Sequence, residues 1–206
     1  MRKILTVLLL VFVFSSGKVF SQDIFIEYDK SMPRASYAAG KLKSALSEKG
    51  YVAGDAYRRG MTVIRLDVDS TDLGDEAWEL TRKGKSIIIS GGDERGMIYG
   101  ALSLCESVRN GIKLNRIKPA GESPHFPLRA IKHNTPWYSY RPSSALDQHY
   151  ETVRDLKYWE AFLDMMVENR FNSLSIFNLH PFVYMISPEN FPEASPFSSA
   201  EMEEWK

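Results

Sequence analysis

A strand, a long amphipathic helix and a second strand follow one another between residues 126 and 180, and that order constrains the chain more than any other feature. Phe126 to Asn134 reads as a strand that runs into a polar, aromatic loop. The spacing predicts a helix from Thr152 to Asn169, with Leu156, Trp159, Leu163 and Met166 on its buried stripe. Arg154, Lys157, Asp164 and Glu168 take its other faces, and Thr152 with Asp155 makes a capping-box variant. Leu174 to His180 is the second strand. This is one strand–helix–strand unit, the seed of a parallel barrel or sheet. A closed eightfold barrel needs about 250 residues, and beyond the second strand there is only a loop and a short helix opening near Ser198. The expected fold class is α/β, an accessory domain followed by the first unit of an incomplete (β/α)8 barrel.

The first 21 residues read as a leader. Arg2 and Lys3 precede an apolar run from Ile4 to Phe14, and Val19-Phe20-Ser21 suits cleavage after Ser21. The run is shorter than the roughly 20 residues of a bilayer span, so export is expected, with an uncleaved anchor as the alternative. Cleavage would remove Arg2, Lys3 and Lys18 and no acid, leaving 23 bases against 26 acids. A chain of that balance offers no basic patch for nucleic acid, and no further segment predicts a membrane contact. Cys105 is the single cysteine, so no internal disulfide forms, and its place on an apolar helix face predicts an inert thiol. His125, His133, His149 and His180 lack the paired spacing of a metal site, and no cofactor is implied.

Residues 22–116 read as a small α/β domain. Ile24 to Tyr28 is a strand; Ser31 and Pro33 open a helix that Gly50 ends; Thr62 to Val68 alternates as a strand. Glu79–Arg82 and Ser86–Ser90 predict a hairpin about Lys83-Gly84-Lys85. Asp93 caps the next helix, whose stripe is Met97, Ala101, Leu104, Cys105 and Val108, and Asn110-Gly111 stops it. Gly91 to Gly96 follows a strand and opens that helix, but matches neither phosphate-binding glycine pattern; Gly96 and Gly100 fit close packing of helix on strand. Residues 117–127, with Pro119, Gly121, Pro124 and Pro127, are the expected linker, and the barrel is expected to start at residue 128.

Barrel sites form at the carboxyl ends of strands. After the first strand come Lys132, His133, Asn134, Trp137, Tyr138, Tyr140 and Arg141; after the second come Asn178, His180, Phe182 and Tyr184. Flat aromatic faces beside amide and cationic donors suit carbohydrate, with rings against the C–H face of a sugar and polar groups on its hydroxyls. Trp137 and Arg141 lead the candidates; the competing reading makes Trp137 and Tyr140 packing residues under the rim. Asn178 and His180 share one strand face with Ile176, and Lys132 shares one with Asn134. Glycoside hydrolysis generally uses two carboxylates, and neither strand end carries one. Asp147, Glu151 and Asp155 sit near a helix start, where acids serve the helix dipole; Glu189 is a weak candidate.

From Glu79 through Ile87-Ile88-Ile89-Ser90-Gly91-Gly92-Asp93-Glu94-Arg95-Gly96-Met97-Ile98-Tyr99-Gly100-Ala101, the chain resembles the small N-terminal α/β domain of exo-acting glycoside hydrolases, carried by bacterial β-hexosaminidases and α-glucuronidases. The resemblance implies a catalytic barrel directly after that domain, a sugar-binding role for Arg129, and catalytic acids on later strands, beyond Lys206. The hexosaminidase pattern of a histidine-rich second strand ending in aspartate is absent: Ser175, Phe177, Asn178 and His180 stand there. The run Arg129 to Asn134 and the amide of Asn178 look closer to the α-glucuronidase type. The leading expectation is the N-terminal portion of an exported, periplasmic or extracellular glycoside hydrolase. Its partner would be an oligosaccharide or polysaccharide, bound by Arg129, Lys132, Asn134, Trp137, Arg141, Asn178 and His180. The alternatives are a non-catalytic glycan-binding or cell-surface module, and a structural adhesion domain.

Overall fold

The computed structural model describes residues 23–69, 71–134, 155–177, 189–191, 193 and 198–204. Its strands are β1 (Asp23–Glu27), β2 (Val52–Gly54), β3 (Thr62–Val68), β4 (Trp78–Lys83), β5 (Ser86–Gly91), β6 (Ala120–Glu122), β7 (Ala130–Asn134) and β8 (Ser173–Phe177). Its α-helices are α1 (Pro33–Glu48), α2 (Glu94–Arg109), α3 (Leu156–Glu168) and the short α4 (Ser199–Glu204).

The first six strands form one sheet in the order β2-β1-β3-β5-β4-β6. β2, β1, β3 and β5 run parallel, while β4 is antiparallel to both β5 and β6. Alternation along the strands gives the sheet one apolar face: Ile24 and Ile26, Ile64 and Leu66, Ile87 and Ile89 are all buried. Leu42, Ala45 and Leu46 of α1 are buried in the same cluster as the expected apolar stripe of α2, Met97, Ala101, Leu104, Cys105 and Val108. The β4–β5 hairpin turns at Gly84, whose φ of 60° a residue with a Cβ adopts only under strain.

Glycines let α2 lie close to the sheet. A methyl at Gly96 would overlap the Ala77 carbonyl, and one at Gly100 would meet the side chains of Ile89 and Trp78. Asp93 caps the helix as expected, accepting from the Gly96 amide at 2.7 Å.

Several local expectations need correction. Ser31 does not cap α1; its hydroxyl and amide donate to Asp29 at 2.7 and 2.8 Å, and Met32 takes the cap position without a side-chain bond. The three-residue β2 is too short to show a period. Residues 120–122 of the expected linker form β6 and extend the sheet edge, pairing with β4 through Ala120, Gly121 and Glu122.

β7 and β8 pair in parallel, and α3 lies between them in sequence. The helix starts later than the spacing predicts, with Asp155 itself as the cap accepting from the Lys157 amide; Thr152 lies outside the described residues. Leu156 is 77% exposed and Leu163 47%, so the predicted stripe is wrong at both; Met166 alone in α3 is fully buried. The packed face is rotated toward Tyr158, Trp159 and Phe162, which surround His133 of β7.

Candidate functional site

The register of β7 and β8 runs from Ala130↔Ser173 to Asn134↔Phe177, so both strands point their carboxyl ends the same way. The two faces of the pair differ. His133 lies 5.1 Å from both the Trp159 and Phe162 rings, centroid to centroid, and its Nε2 is 2.7 Å from the Tyr158 hydroxyl. That makes the face of Ile131, His133, Leu174 and Ile176 the helix-facing one. Ala130, Lys132, Ser173 and Ser175 occupy the other face, the side that a barrel turns inward. Lys132 is exposed there, and Asn134 is the last residue of β7. His133, which the sequence lines up with the site residues, is a packing residue. Ile176 shares its side, so alternation from Ile176 does not by itself direct Asn178 and His180 inward. Those two, with Trp137 and Arg141, lie outside the described residues.

Arg129 is placed elsewhere. It precedes β7, at the opposite end from the open strand termini, and its guanidinium is engaged on every side. Nε donates to the Arg170 carbonyl at 2.6 Å and Nη1 to the Phe126 carbonyl at 2.7 Å. Nη2 binds the Glu76 carboxylate and reaches the Tyr99 hydroxyl at 3.4 Å. The geometry gives Arg129 a role in joining two parts of the chain, not in meeting a sugar at the strand ends.

Glu76 is the centre of that joint. It is 4% exposed, and besides Arg129 it takes Arg95 Nη1 at 2.7 Å and the Asn172 amide at 3.1 and 3.2 Å. Asp93 supports it from behind, accepting from the Glu76 amide at 3.2 Å and pairing with Arg95 at 3.2 Å. Tyr99 forms a floor beneath the guanidiniums of Arg129 and Arg170, 5.8 and 5.7 Å from its ring centre. Burial and the Glu76 charge together push the Tyr99 hydroxyl above the usual tyrosine range.

A second contact ties α1 to α3. Lys41 lies 2.9 Å from both Asp164 and Glu168, and the Tyr37 hydroxyl donates to Asp164 at 2.9 Å. Burial and the Asp164 hydrogen bond push Tyr37 up to about 12. Burial works against the charge of Lys41, but its hydrogen bonds to Glu168 and Asp164 outweigh that and raise it. Sequence reading did not connect these residues, because Glu76 and Tyr99 lie far along the chain from Arg170 and Asn172, Tyr37 and Lys41 lie far from Asp164 and Glu168, and no local period joins them.

Two cavities flank the joint. One of about 330 Å³ lies between α2 and α3, walled by Ile98, Leu163, Met166, Val167 and Phe171. The other, about 220 Å³, is bounded by Trp78, Tyr99, Glu122, His125 and Phe126. Cys105 is buried, and burial pushes its thiol up to about 11, which keeps it an unreactive thiol. Among the described residues no three His, Cys, Asp or Glu side chains gather as a metal site would require.

Among solved structures, the chain is similar to a GH138 enzyme targeting pectin rhamnogalacturonan II, 26% identical with a TM-score of 0.72, over 88% of this chain and 28% of that one. It also shares its fold with a GH115 4-O-methyl-α-glucuronidase with specificity for decorated arabinogalactans, 14% identical with a TM-score of 0.55, over 85% of this chain and 28% of that one. The chain thus spans little more than a quarter of the length of these enzymes. No curated protein matches it significantly in sequence. A family pattern described as glycosyl hydrolase family 20, domain 2, matches residues 15–126. That match takes in more than half of the chain, as well as the sheet, α1 and α2, and the chain belongs to this glycoside hydrolase family.

Proposed function

We propose that the chain is the N-terminal portion of an exported glycoside hydrolase acting on O-glycosyl bonds of a pectic polysaccharide. In this reading residues 1–21 are a cleaved leader, residues 22–116 an accessory domain, residues 117–127 a connection, and residues from 128 onward the start of a barrel. One observation carries most of it. The likeness to the GH138 enzyme extends over 88% of the chain at 26% identity, more than the small domain alone accounts for. The parallel β7–α3–β8 unit supports it by presenting two strand carboxyl ends side by side, the place where barrel sites form.

The chemistry is divided in this reading. Lys132 and Asn134 of β7, the loop residues Trp137 and Arg141, and Asn178 and His180 after β8 bind sugar. The carboxylate pair that protonates the leaving group and activates water or attacks the anomeric carbon belongs to later strands. Glucuronide and N-acetylhexosaminide substrates are the alternatives to the pectic one.

The test is to incubate the protein encoded by the whole gene with rhamnogalacturonan II, with glucuronide-decorated arabinogalactan and with an N-acetylhexosaminide. Sugar release from the first is expected. Retention of a glycan without release from any of the three would favour the binding module instead. Trp137→Ala and Arg141→Ala should each cut kcat/KM at least about tenfold, a loss of about 1.4 kcal/mol in transition-state binding. Unchanged kinetics in both, with folding intact, would reject this placement of the site.

A further inference from the structure

We propose that Glu76 is a positioning residue: from the small domain it pins the amino ends of β7 and β8, and through those strands it sets the geometry of their carboxyl ends. The consequence for catalysis rests on the function proposed above; the pinning does not.

Two residues that bind the Glu76 carboxylate each stand immediately before a barrel strand. Arg129 precedes Ala130 of β7, and Asn172 precedes Ser173 of β8. They also bind one another: the Arg129 amide donates to Asn172 Oδ1 at 3.0 Å, and the Asn172 amide donates to the Arg129 carbonyl at 2.9 Å. The ladder and these bonds hold the two strands level with one another, and Glu76, which belongs to neither, ties both amino ends to the small domain. Height matters here because side chains alternate along a strand. A slip of one residue would exchange Lys132 for His133 on the inward face.

Backbone strain points to the same cluster. Among the described residues, two non-glycines have positive φ, Glu76 at 60° and Arg170 at 62°. α1 and α2 end in the same motif as α3, in which two amides beyond the helix return to its last carbonyls, and both place glycine at the left-handed position, Gly50 and Gly111. α3 places Arg170 there. Its carbonyl receives Arg129 Nε, its guanidinium reaches Glu106 at 2.9 Å, and it lies over Tyr99. A residue with a Cβ is strained in that region, and such strain persists where the surroundings over-determine it and clusters at working parts of a protein. Both instances fall on one joint.

The test uses the whole protein with Glu76→Gln, which keeps the shape and removes the charge, and Asn172→Ala, which removes one partner and spares Glu76. Hydrogen exchange is followed in β7 and β8 and, as reference, in β3 and β5. Both variants should speed exchange in β7 and β8 by about tenfold or more while β3 and β5 stay unchanged. Turnover on the substrate that the unaltered protein cleaves should fall about tenfold or more in kcat, well below the melting temperature, with KM little altered. Unchanged exchange in β7 and β8, or an equal rise in all four strands, overturns the pin. Faster exchange with unchanged kcat overturns its effect on the site. An unaltered protein inactive on every glycan tested would sink the proposed function, while the exchange result would still decide the pin.

Discussion

The small domain and the β7–α3–β8 unit are held in opposite ways. In the small domain two sixteen-residue helices bury six and ten of their residues, against the sheet, against each other and, at Ile98 and Tyr99, against the second unit. In the second unit a thirteen-residue helix buries one. Its fixed points are polar: Arg129 and Asn172 on Glu76, Arg170 on Glu106, and Asp164 with Glu168 on Lys41. The first region owes its structure to apolar area removed from water, which is non-directional and tolerant. The second owes its placement to charge-assisted hydrogen bonds, which are directional and specify position more than they add stability.

The sharpest way to break this contrast is to delete the same apolar group in both regions. Leu42 is fully buried, so Leu42→Ala should cost about 2–5 kcal/mol in urea unfolding. Leu156 is 77% exposed, and Leu156→Ala should stay within about 0.5 kcal/mol. Equal losses would show that α3 packs as a core helix. A smaller effect, with a change of sign, comes from glycine. Gly96→Ala drives a methyl into the Ala77 carbonyl and should cost about 1–3 kcal/mol. Gly40, within α1, has nothing within 4 Å of the same position, and Gly40→Ala should stabilise by about 0.5–1 kcal/mol through helix propensity. Matching thermal shifts in the two would mean that α2 does not lie as close to the sheet as its glycines allow.

The same contrast explains what the amino-acid sequence revealed. The small domain was largely legible because burial follows a period, every second residue in β3 and β5 and every third or fourth in α1, while the expected stripe of α2 lies inside a wider buried face that runs unbroken from Gly96 to Leu102. Asp93, Gly50 and Gly111 marked helix ends by local chemistry. The second unit was legible in order but not in detail. The expected stripe of α3 holds at Trp159 and Met166 and fails at Leu156 and Leu163, because the helix turns Tyr158 and Phe162 toward His133 of β7, which no spacing within the helix reveals. Arg129 falls inside the strand expected from Phe126 to Asn134, and the resemblance implies a sugar-binding role for it; nothing near it in sequence reveals that Glu76, fifty-three positions earlier, holds its charge. Glu76 itself lies in a loop with no period, and its value comes from partners brought together by the fold.

The smallest expected effect tests the polar side of the comparison. Partial burial raises the Asp164 carboxyl, but hydrogen bonds from Lys41 and Tyr37 outweigh that and hold it below its ordinary value. A carboxyl depressed in the folded state contributes stability above its unfolded pKa of about 3.9, and loses it as pH falls through the lower folded value. The side chain is 49% exposed, so solvent screens the pair and Asp164→Asn should cost under about 1 kcal/mol at pH 7. That difference should hold from pH 7 down to about 4, shrink below it, and weaken in high salt. Tyr37 sets the other limit: raised to about 12 by burial and by Asp164, it contributes stability present below about pH 10 and lost as pH rises through 12. A gap between the two proteins that stayed constant from pH 7 to pH 2 would mean that the Lys41–Asp164 contact is not ionic, and that α3 rests on α1 by packing alone.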